Sequence, residues 1–297
     1  MKEAEKTQSK APVYRTIKVR SGKLPIGIWV LVIMSLGLIL YSYLAPYLYP
    51  IDLGDTNLKD RLLDPSIFGL SDSGYLLGTD ALGRDVAVRL LYAIRASISL
   101  ATVGLLSSVV LGLTVGILAG ICGGWVDDVV MFMINVRHSL PSIIIGMAVS
   151  TIFGFGTGIV ILMTTLIYWS GFARQTRAGV IQLKKENFIE CSRAIGASTI
   201  RIIFEHIIKN IASPLIVTFT NNIGAVILFE SSLSFLGFGI QPPNASLGTM
   251  VNNGRNYMVL KPLLVLIPTL VIVLFCVTAS LYGDWLRDRL DPKLKRK

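Results

Sequence analysis

Two ionisable side chains, Arg137 and Glu230, lie within long apolar segments of the sequence. A charged group inside a bilayer costs about 2.5 kcal/mol or more unless it faces protein, water or the interface. Such groups can line an aqueous path or relay ions across a membrane. Alternatively, Arg137 can extend to the cytoplasmic surface, about two helical turns away, and Glu230 can be bound by the hydroxyl groups of Ser231, Ser232 and Ser234.

The motifs of soluble enzymes are missing from the sequence. It has no Gly-x4-Gly-Lys-Ser/Thr phosphate loop, no dinucleotide-binding glycine pattern and no His-Glu-x-x-His pair. Its three cysteines, Cys122, Cys191 and Cys276, are widely spaced, and there are only two histidines, so neither a disulfide framework nor a metal motif is indicated. We therefore expect no catalytic residue, no metal site and no cofactor bound by this chain.

The composition is typical of a membrane protein, with 53% hydrophobic and 15% charged residues and a mean hydropathy of +0.65. Windows of about 20 residues predict an all-α polytopic fold with six transmembrane helices. The spans are residues 26–44, 96–121, 129–153, 154–173, 211–236 and 262–283. The third span is interrupted at Pro141, whose missing N–H frees a carbonyl that neighbouring helices must satisfy.

The distribution of lysine and arginine predicts the orientation of these spans. Of the 28 such residues, seven precede the first span, seven lie in the loop 174–210 and six follow residue 283. With six spans these three segments share one side and hold 20 basic residues, against seven on the other side. The positive-inside rule therefore places both termini and the central loop in the cytoplasm, and the net charge of +10 is explained without nucleic acid.

These features divide the chain into four parts. Residues 1–25 are a cytoplasmic basic tail, and residues 26–95 are the first transmembrane helix with an extracytoplasmic loop. Residues 96–290 are a core of five helices that includes the loop at 174–210, and residues 291–297 are a second basic tail.

The central loop is predicted to hold two helices separated by Gly196, which suits the left-handed position that ends a helix. After the glycine, one apolar stripe is expected, formed by Ile200, Ile203, Phe204, Ile207, Ile208 and Ile211. The pairs Arg201–Glu205 and Glu205–Lys209 are expected on the opposite face. Such a helix can lie on lipid. A DNA-reading helix-turn-helix also fits the local pattern, but the short tether to the fifth span leaves no length to reach a duplex.

Two further features concern the second span. Before it, Thr79 or Asp80 can cap a surface helix on which Asp85 and Arg89 form an i,i+4 pair. Within it, the small-xxx-small spacing of Gly112 and Gly116 allows another helix to approach closely. This spacing is common in apolar helices, so its use as a specific interface stays open.

Four segments carry a more specific pattern. They are Glu190-Cys191-Ser192 followed three residues later by Gly196, and residues 77–85, 233–243 and 283–292. The first resembles the Glu-Ala-Ala-x3-Gly pattern of the EAA loop in permease subunits of ABC importers. The Gly-Thr-Asp-Ala-Leu-Gly-Arg-Asp of the second and the Leu-Ser-Phe-Leu-Gly-Phe-Gly of the third resemble the dipeptide/oligopeptide/nickel branch of that family. The fourth is similar to the C-terminus of its "C"-type permease.

This resemblance, over about residues 26–292, implies the type I ABC importer permease fold with a cytoplasmic coupling helix. It implies a homologous second permease, two ABC ATPase subunits and an extracytoplasmic substrate-binding protein as partners, in the plasma (inner) membrane of a prokaryote. ATP and Mg²⁺ would be used by the ATPases, so this chain is expected to be non-catalytic. Carried over to this sequence, the contact with the ATPase would be formed by Glu190, Ser192, Arg193, Ala194 and Gly196.

The sequence departs from the family pattern at three places. Cys191-Ser192 replaces Ala-Ala, and Ile208-Lys209 stands where Leu-Pro is usual, which allows the second helix of the loop to continue unbroken. Relatives usually have an Asp followed by aliphatic residues before Pro141, whereas this chain has Asn135, Arg137, His138 and Ser139. This last difference can tune the translocation path or the packing with a partner.

The function expected from these observations is ATP-driven import of di- and oligopeptides. Nickel chelates, glutathione or another small solute are alternatives within the same architecture. The alternative of another class is a secondary transporter or channel that uses Arg137 and Glu230 as an ion relay, but the internal repeat common in secondary transporters is not evident here.

Overall fold

The computed structural model describes residues 26–50, 53–67, 69 and 74–290. The regular secondary structure of this part of the chain is helical, apart from an isolated β-bridge between Thr79 and Asp85. The α-helices are α1 (Ile26–Leu48), α2 (Val86–Cys122), α3 (Gly124–Ser139), α4 (Ser142–Phe153), α5 (Thr157–Leu183), α6 (Asn187–Ala194), α7 (Thr199–Ile202), α8 (Ile208–Phe235), α9 (Leu247–Gly254) and α10 (Leu263–Leu290). The basic tails expected at residues 1–25 and 291–297 lie outside the described residues.

Four helices of the described residues are long and apolar enough to cross a bilayer, namely α1, α2, Thr199–Phe235 and α10. The bent pair α3–α4 gives a fifth span if it is counted as one. The remaining expected span, residues 154–173, overlaps α5. This helix has 27 residues, but its sequence is less apolar than those of the four helices named above. Each of the six expected spans thus falls on a helix or a bent helix pair, with α5 as the least apolar of the long helices.

The third expected span is two helices rather than one interrupted helix. The axes of α3 and α4 differ by 95° at the break around Leu140 and Pro141. Leu140 is extended because a proline disfavours the helical conformation for the residue before it, and Pro141 itself has a ψ of 133°. The sequence predicted the position of the break but not its angle.

The surface helix expected before the second span is the first part of α2 itself, which runs unbroken for 37 residues from Val86. Its cap is Asp85, whose carboxylate accepts hydrogen bonds from the N–H groups of Ala87 and Val88. The prediction of a cap at Thr79 or Asp80 was therefore wrong. So was the Asp85–Arg89 pair, because the capping carboxylate is turned towards the backbone and Arg89 instead lies 3.6 Å from Asp80.

Glycines of α2 allow it to lie directly against α5. A side-chain carbon added to Gly112 would lie 2.6 Å from Cβ of Phe172 and 2.7 Å from the carbonyl oxygen of Trp169. One added to Gly116 would lie 2.6 Å from the carbonyl oxygen of Ala173. The small-xxx-small pattern is thus confirmed as a close helix contact, in which backbone atoms meet without intervening side chains.

The main core lies where α2, α5, α8 and α10 meet. Its most buried members include Ile94, Leu105, Phe172, Ile227 and Phe275. By contrast, much of α1 is exposed, as expected for a helix that faces lipid. The short helix α9 packs on α8 so closely that Gly248 lies against the backbone of Ser231.

The glycine contact leads to a first prediction. Gly112→Ala should lower the free energy of unfolding by about 1–3 kcal/mol, because the new methyl group forces α2 and α5 apart. The effect is measured as a fall in the thermal unfolding temperature of the detergent-solubilised protein. Gly171→Ala in α5 is the matched control, because no atom lies within 4 Å of its Cβ position and alanine favours a helix. Equal unfolding temperatures for the two variants would contradict the contact.

Candidate functional site

The five residues expected to contact an ATPase are brought together by α6 and the turn that ends it. Ile189 of this helix is 1% exposed and anchors it in the main core. Glu190, Arg193 and Ala194 are exposed and Ser192 is half-buried. Gly196 follows in the turn and is exposed as well. One buried side chain thus holds a helix whose polar residues are available to a partner.

The turn after α6 has the hydrogen bonds of a Schellman motif. Gly196 has a φ of 88°, in the left-handed region that glycine adopts without strain. Its N–H donates to the carbonyl of Arg193 at 2.9 Å, and the N–H of Ala197 donates to that of Ser192 at 3.0 Å. The prediction that Gly196 ends the first helix of the loop is confirmed.

A contact that the sequence did not predict fixes α6 to the next helix. The hydroxyl of Ser192 lies 3.3 Å from Nε2 of His206 and donates to the carbonyl of Phe188 at 2.7 Å. The rings of Phe188 and His206 meet edge to face, with centroids 5.7 Å apart. His206 lies in a π-helical turn, Ile203–Ile207, that joins α7 to α8. No sequence spacing indicated this pairing.

The apolar stripe predicted after Gly196 is only partly correct. Ile207 and Ile211 are buried as expected, but Ile200 and Phe204 are 68% and 65% exposed. Ile202 is buried in their place, at 3% exposure. The π-helical turn explains the difference, because its extra residue shifts the inward face relative to a regular α-helix. The helix nevertheless continues through Ile208-Lys209, as the departure from Leu-Pro suggested.

The same region leaves large apolar side chains on its surface. Phe188 and Ile195 are 41% and 85% exposed, in addition to Ile200 and Phe204. Exposed apolar groups rimmed by polar residues mark contact sites for proteins or membranes. The predicted Arg201–Glu205 pair is confirmed at 2.9 Å. It stays on the exposed side of the helix, whereas the Glu205–Lys209 pair does not occur among the ion pairs of the described residues.

Charged groups join the end of α5 to α2 and α3. Arg177 donates to both carboxylate oxygens of Asp127, near the start of α3. Lys184, just after α5, donates to the carbonyl oxygens of Gly120 and Ile121 at 3.2 and 3.0 Å, and so satisfies carbonyls at the end of α2. The base of the loop is therefore tied to two neighbouring helices.

Arg137, the first of the two intramembrane groups, lies in the last turn of α3 at the bend. Its Nε donates to the carbonyl oxygen of Ile167 at 2.9 Å, and its Nη2 donates to the hydroxyl of Ser142 at 3.1 Å. The side chain thus reaches the middle of α5 instead of extending to a membrane surface. The geometry favours the alternative in which Arg137 faces protein, and its role in a path stays a prediction.

Glu230, the second group, is 1% exposed and lies among hydroxyl groups. Ser97 of α2 donates to Oε2 at 3.0 Å, and Ser234 donates to Oε1 at 2.7 Å. The two serines also accept backbone N–H groups, from Leu247 at 3.4 Å and Ile240 at 3.3 Å. The carboxylate therefore joins α2 and α8 to the segment that leads into α9. This geometry favours the hydroxyl-bound alternative with different partners from those expected: Ser234 binds the carboxylate as predicted, Ser232 donates to Leu228 instead, and Ser97 was not predicted.

Comparison with known proteins identifies the family to which the sequence is similar. Residues 112–296 match the family described as binding-protein-dependent transport system inner membrane component. The chain is 37% identical to the glutathione transport system permease protein GsiD of Pectobacterium atrosepticum, over 91% of this chain and 86% of that protein. It is 35% identical to the dipeptide transport system permease protein DppC of Haemophilus influenzae, with 86% and 87% covered. It is also 35% identical to the nickel transport system permease protein NikC of Escherichia coli K12, with 89% and 93% covered.

Among solved structures, a chain of the MetNI methionine ABC transporter in an inward-facing conformation is similar in fold. The TM-score is 0.54 at 18% sequence identity, over 68% of this chain and 96% of that chain. At this identity the likeness concerns the fold alone.

The hydroxyl groups around Glu230 lead to a second prediction. Glu230→Ala should lower the free energy of unfolding by about 2–4 kcal/mol, because it leaves a cavity and removes the acceptor of two buried serines. The measurement is thermal unfolding in detergent. Ser232→Ala is the control, because that hydroxyl bonds only to Leu228 in its own helix. A Glu230→Ala protein that unfolds at the wild-type temperature but no longer transports would instead favour a role in the path.

Proposed function

The chain belongs to the family of inner membrane components of binding-protein-dependent transport systems, and we propose that it is a permease subunit of an ATP-driven peptide importer. The observation that supports coupling to ATP hydrolysis is α6, a short helix anchored by Ile189 with its polar residues exposed. A helix fixed between two spans can transmit a rigid-body push from a partner.

The proposed partners are a homologous second permease, two ABC ATPase subunits and an extracytoplasmic substrate-binding protein. The ATPases bind ATP and Mg²⁺, and this chain contributes the membrane path without a catalytic site. The exposed apolar groups Ile195, Ile200 and Phe204 beside α6 support a protein contact there. The wall of the path is shared with the second permease.

In the proposed mechanism α6 sits against an ATPase through Glu190, Ser192, Arg193, Ala194 and Gly196. When the two ATPases close on ATP, the displacement of α6 passes to both flanking spans. On one side it reaches α5, which Lys184 and Arg177 join to α2 and α3. On the other side it reaches α8 through the contact between Ser192 and His206. Because these contacts leave little freedom, the spans move with the coupling helix.

The proposed cargo is di- and oligopeptides. The relative named for dipeptide transport supports it, while the relatives named for glutathione and nickel transport keep those two cargoes as the second candidates. The proposed location is the plasma membrane of a prokaryote with both termini in the cytoplasm. The distribution of 20 basic residues on that side against seven on the other supports the orientation.

The coupling proposal predicts the effect of two substitutions in the loop. Gly196→Pro removes the N–H bonded to Arg193 and cannot adopt the positive φ of this position. Glu190→Lys reverses an exposed charge of α6. Both variants should still enter the membrane, but the ATPases should dissociate, or their hydrolysis should no longer respond to the loaded binding protein. Co-purification and ATPase assays of the assembled complex measure this.

Asp55→Lys is the matched control for charge reversal, because Asp55 is exposed in the loop expected on the other side of the membrane. It should leave ATPase association unchanged. Normal co-purification together with normal stimulation of hydrolysis in both loop variants would overturn the assignment of α6 as the coupling helix.

The cargo proposal predicts ATP-dependent uptake of peptides. The complete complex with its own binding protein is reconstituted in proteoliposomes and offered labelled tripeptides, glutathione or a nickel–histidine chelate. We expect tripeptides to accumulate and to compete with one another. Accumulation of only glutathione or only nickel would replace the peptide assignment by that cargo while leaving the coupling mechanism intact.

A further inference from the structure

The bend between α3 and α4 gathers basic groups between the apolar part of α5 and the cytoplasmic end expected for this span. Arg137 donates to the carbonyl of Ile167, which lies ten residues after the start of α5 at Thr157. At a rise of 1.5 Å per residue this is about 15 Å along the helix, which is half the thickness of a hydrocarbon core. No charged residue precedes Arg174 in α5. The guanidinium of Arg137 therefore lies beside an apolar stretch of α5, seven residues before Arg174, the first residue of the loop expected in the cytoplasm.

Two further basic side chains, His138 and Arg174, lie along the face of α5 that Arg137 contacts. His138 lies next to Arg137 in α3, and its Nε2 is 3.3 Å from the hydroxyl of Ser170. Arg174 comes four residues after Ser170 and is exposed. Ile167, Ser170 and Arg174 have the i, i+3, i+7 spacing of one helix face. Arg137, His138 and Arg174 are here called the bend cluster.

The bend cluster carries no compensating negative charge. The ion pairs of the described residues involve other arginines and lysines, and neither Arg137 nor Arg174 takes part in one. The intramembrane acid Glu230 is held by Ser97 and Ser234. Among the described residues, the hydrogen-bond partners of Arg137 are a carbonyl and a hydroxyl, which stabilise its charge without neutralising it.

The start of α4 adds a partial positive charge at the same place. The helix begins at Ser142, and no side chain caps its first N–H groups. Free N–H groups and the helix dipole make such an end attractive to anions. The hydroxyl of Ser142 accepts a hydrogen bond from Arg137, so the helix start and the guanidinium are adjacent. Leu140 and Ile143 on either side are 49% and 41% exposed, so the bend opens to the surface of the chain.

We infer that the bend cluster is an anion-binding site that recognises a carboxylate of the cargo as it crosses the membrane. Among the described residues, Arg137 uses two of its five N–H donors in its bonds to Ile167 and Ser142, and the others remain for a carboxylate, to which a guanidinium can donate two parallel hydrogen bonds. The inference rests on the proposed function, because it requires that cargo passes between this chain and a second permease. The inference means that the path itself prefers negatively charged cargo, in addition to any preference of the binding protein.

A different role for the same residues makes a different prediction. Basic groups in the last turn of a helix complement its dipole, and the bond from Arg137 to Ile167 stabilises the bend. If that were their only role, removing a charge would affect every cargo equally. Arg174→Gln is the primary variant, because Arg174 forms no hydrogen bond or ion pair among the described residues and its loss leaves the bend intact. Arg137→Gln is the second variant.

The first experiment measures the local potential without any cargo. Cys122, Cys191 and Cys276 are replaced by Ser, Ala and Ser, and Ser139→Cys places a thiol at the end of α3, next to the bend, in the assembled complex. The rates of modification by an anionic and a cationic methanethiosulfonate reagent are then compared. We expect Arg174→Gln to lower the anionic-to-cationic rate ratio about fivefold, since one positive charge is removed from the bend cluster.

Thr56→Cys, exposed in the loop before α2, is the control thiol, and its rate ratio should not respond to Arg174→Gln. Modification is followed on this chain by mass spectrometry, so thiols of partner subunits do not contribute. A thiol at residue 139 that neither reagent reaches, or a ratio unchanged by both arginine substitutions, would overturn the anion-binding site.

The second experiment measures selectivity in proteoliposomes with the complete complex. The cargoes are Ala-Glu-Ala, Ala-Gln-Ala and Ala-Lys-Ala, which have similar sizes but different charges. Relative to wild type, Arg174→Gln should reduce the uptake ratio of Ala-Glu-Ala to Ala-Lys-Ala about threefold or more, and Arg174→Glu should reduce it further. Because each ratio is compared with that of the wild-type complex, the contribution of the binding protein to selectivity cancels.

Lys59→Gln, which removes an exposed basic residue from the external loop, is the control and should leave the uptake ratio unchanged. Equal losses for all three peptides in the Arg174 variants would reduce the bend cluster to a structural element and refute the inference. If the wild-type complex imports no peptide, the proposed cargo is wrong, and the thiol experiment still decides whether the site attracts anions.

Discussion

The close contact between α2 and α5 is the interaction on which the rest of the structure depends. Helices in lipid gain little from apolar burial against one another, so they associate through close packing and hydrogen bonds. Gly112 and Gly116 let the backbone of α5 approach within van der Waals distance. From this pair, α2 supplies Ser97 to the carboxylate of Glu230, and α5 supplies the carbonyl that binds Arg137. Both intramembrane charges are thus positioned by helices held together at glycines.

The position of the central loop, residues 174–210, also depends on the packing of α2 against α5. The end of α5 is joined to α2 by Lys184 and to α3 by Arg177, so these three helices end in one connected group. The Schellman turn at Gly196 and the contact of Ser192 with His206 join α6 to the start of α8. A displacement of α6 therefore has two rigid routes into the membrane. This arrangement is consistent with the proposed role of α6 in transmitting motion.

Features that depend on neighbouring residues were predictable from the sequence, and features that depend on distant contacts were not. Gly196 and the Arg201–Glu205 pair follow from local helix rules, and Pro141 marks a break. The angle of that break, 95°, depends on how α4 packs and has no local signal. Likewise, the hydrogen bond between Ser97 and Glu230 had no local signal, because the two residues are 133 positions apart in sequence. The exposed Phe204 was mispredicted because a π-helical turn cannot be inferred from periodicity.

The bend between α3 and α4 shows why a charge can be kept in an apolar region without being neutralised. A carbonyl inside a helix has a second lone pair after its backbone hydrogen bond is made, and Ile167 offers that lone pair to Arg137. This bond reduces the cost of desolvating the guanidinium, but it leaves the net positive charge unchanged. Arg174 and the uncapped start of α4 add further positive charge near Arg137. A site with excess positive charge attracts an anion, and the attraction grows where water is partly excluded. An acidic group of a passing molecule would therefore be stabilised at the bend, and the absence of a protein carboxylate among the described contacts of Arg137 leaves that position available to it.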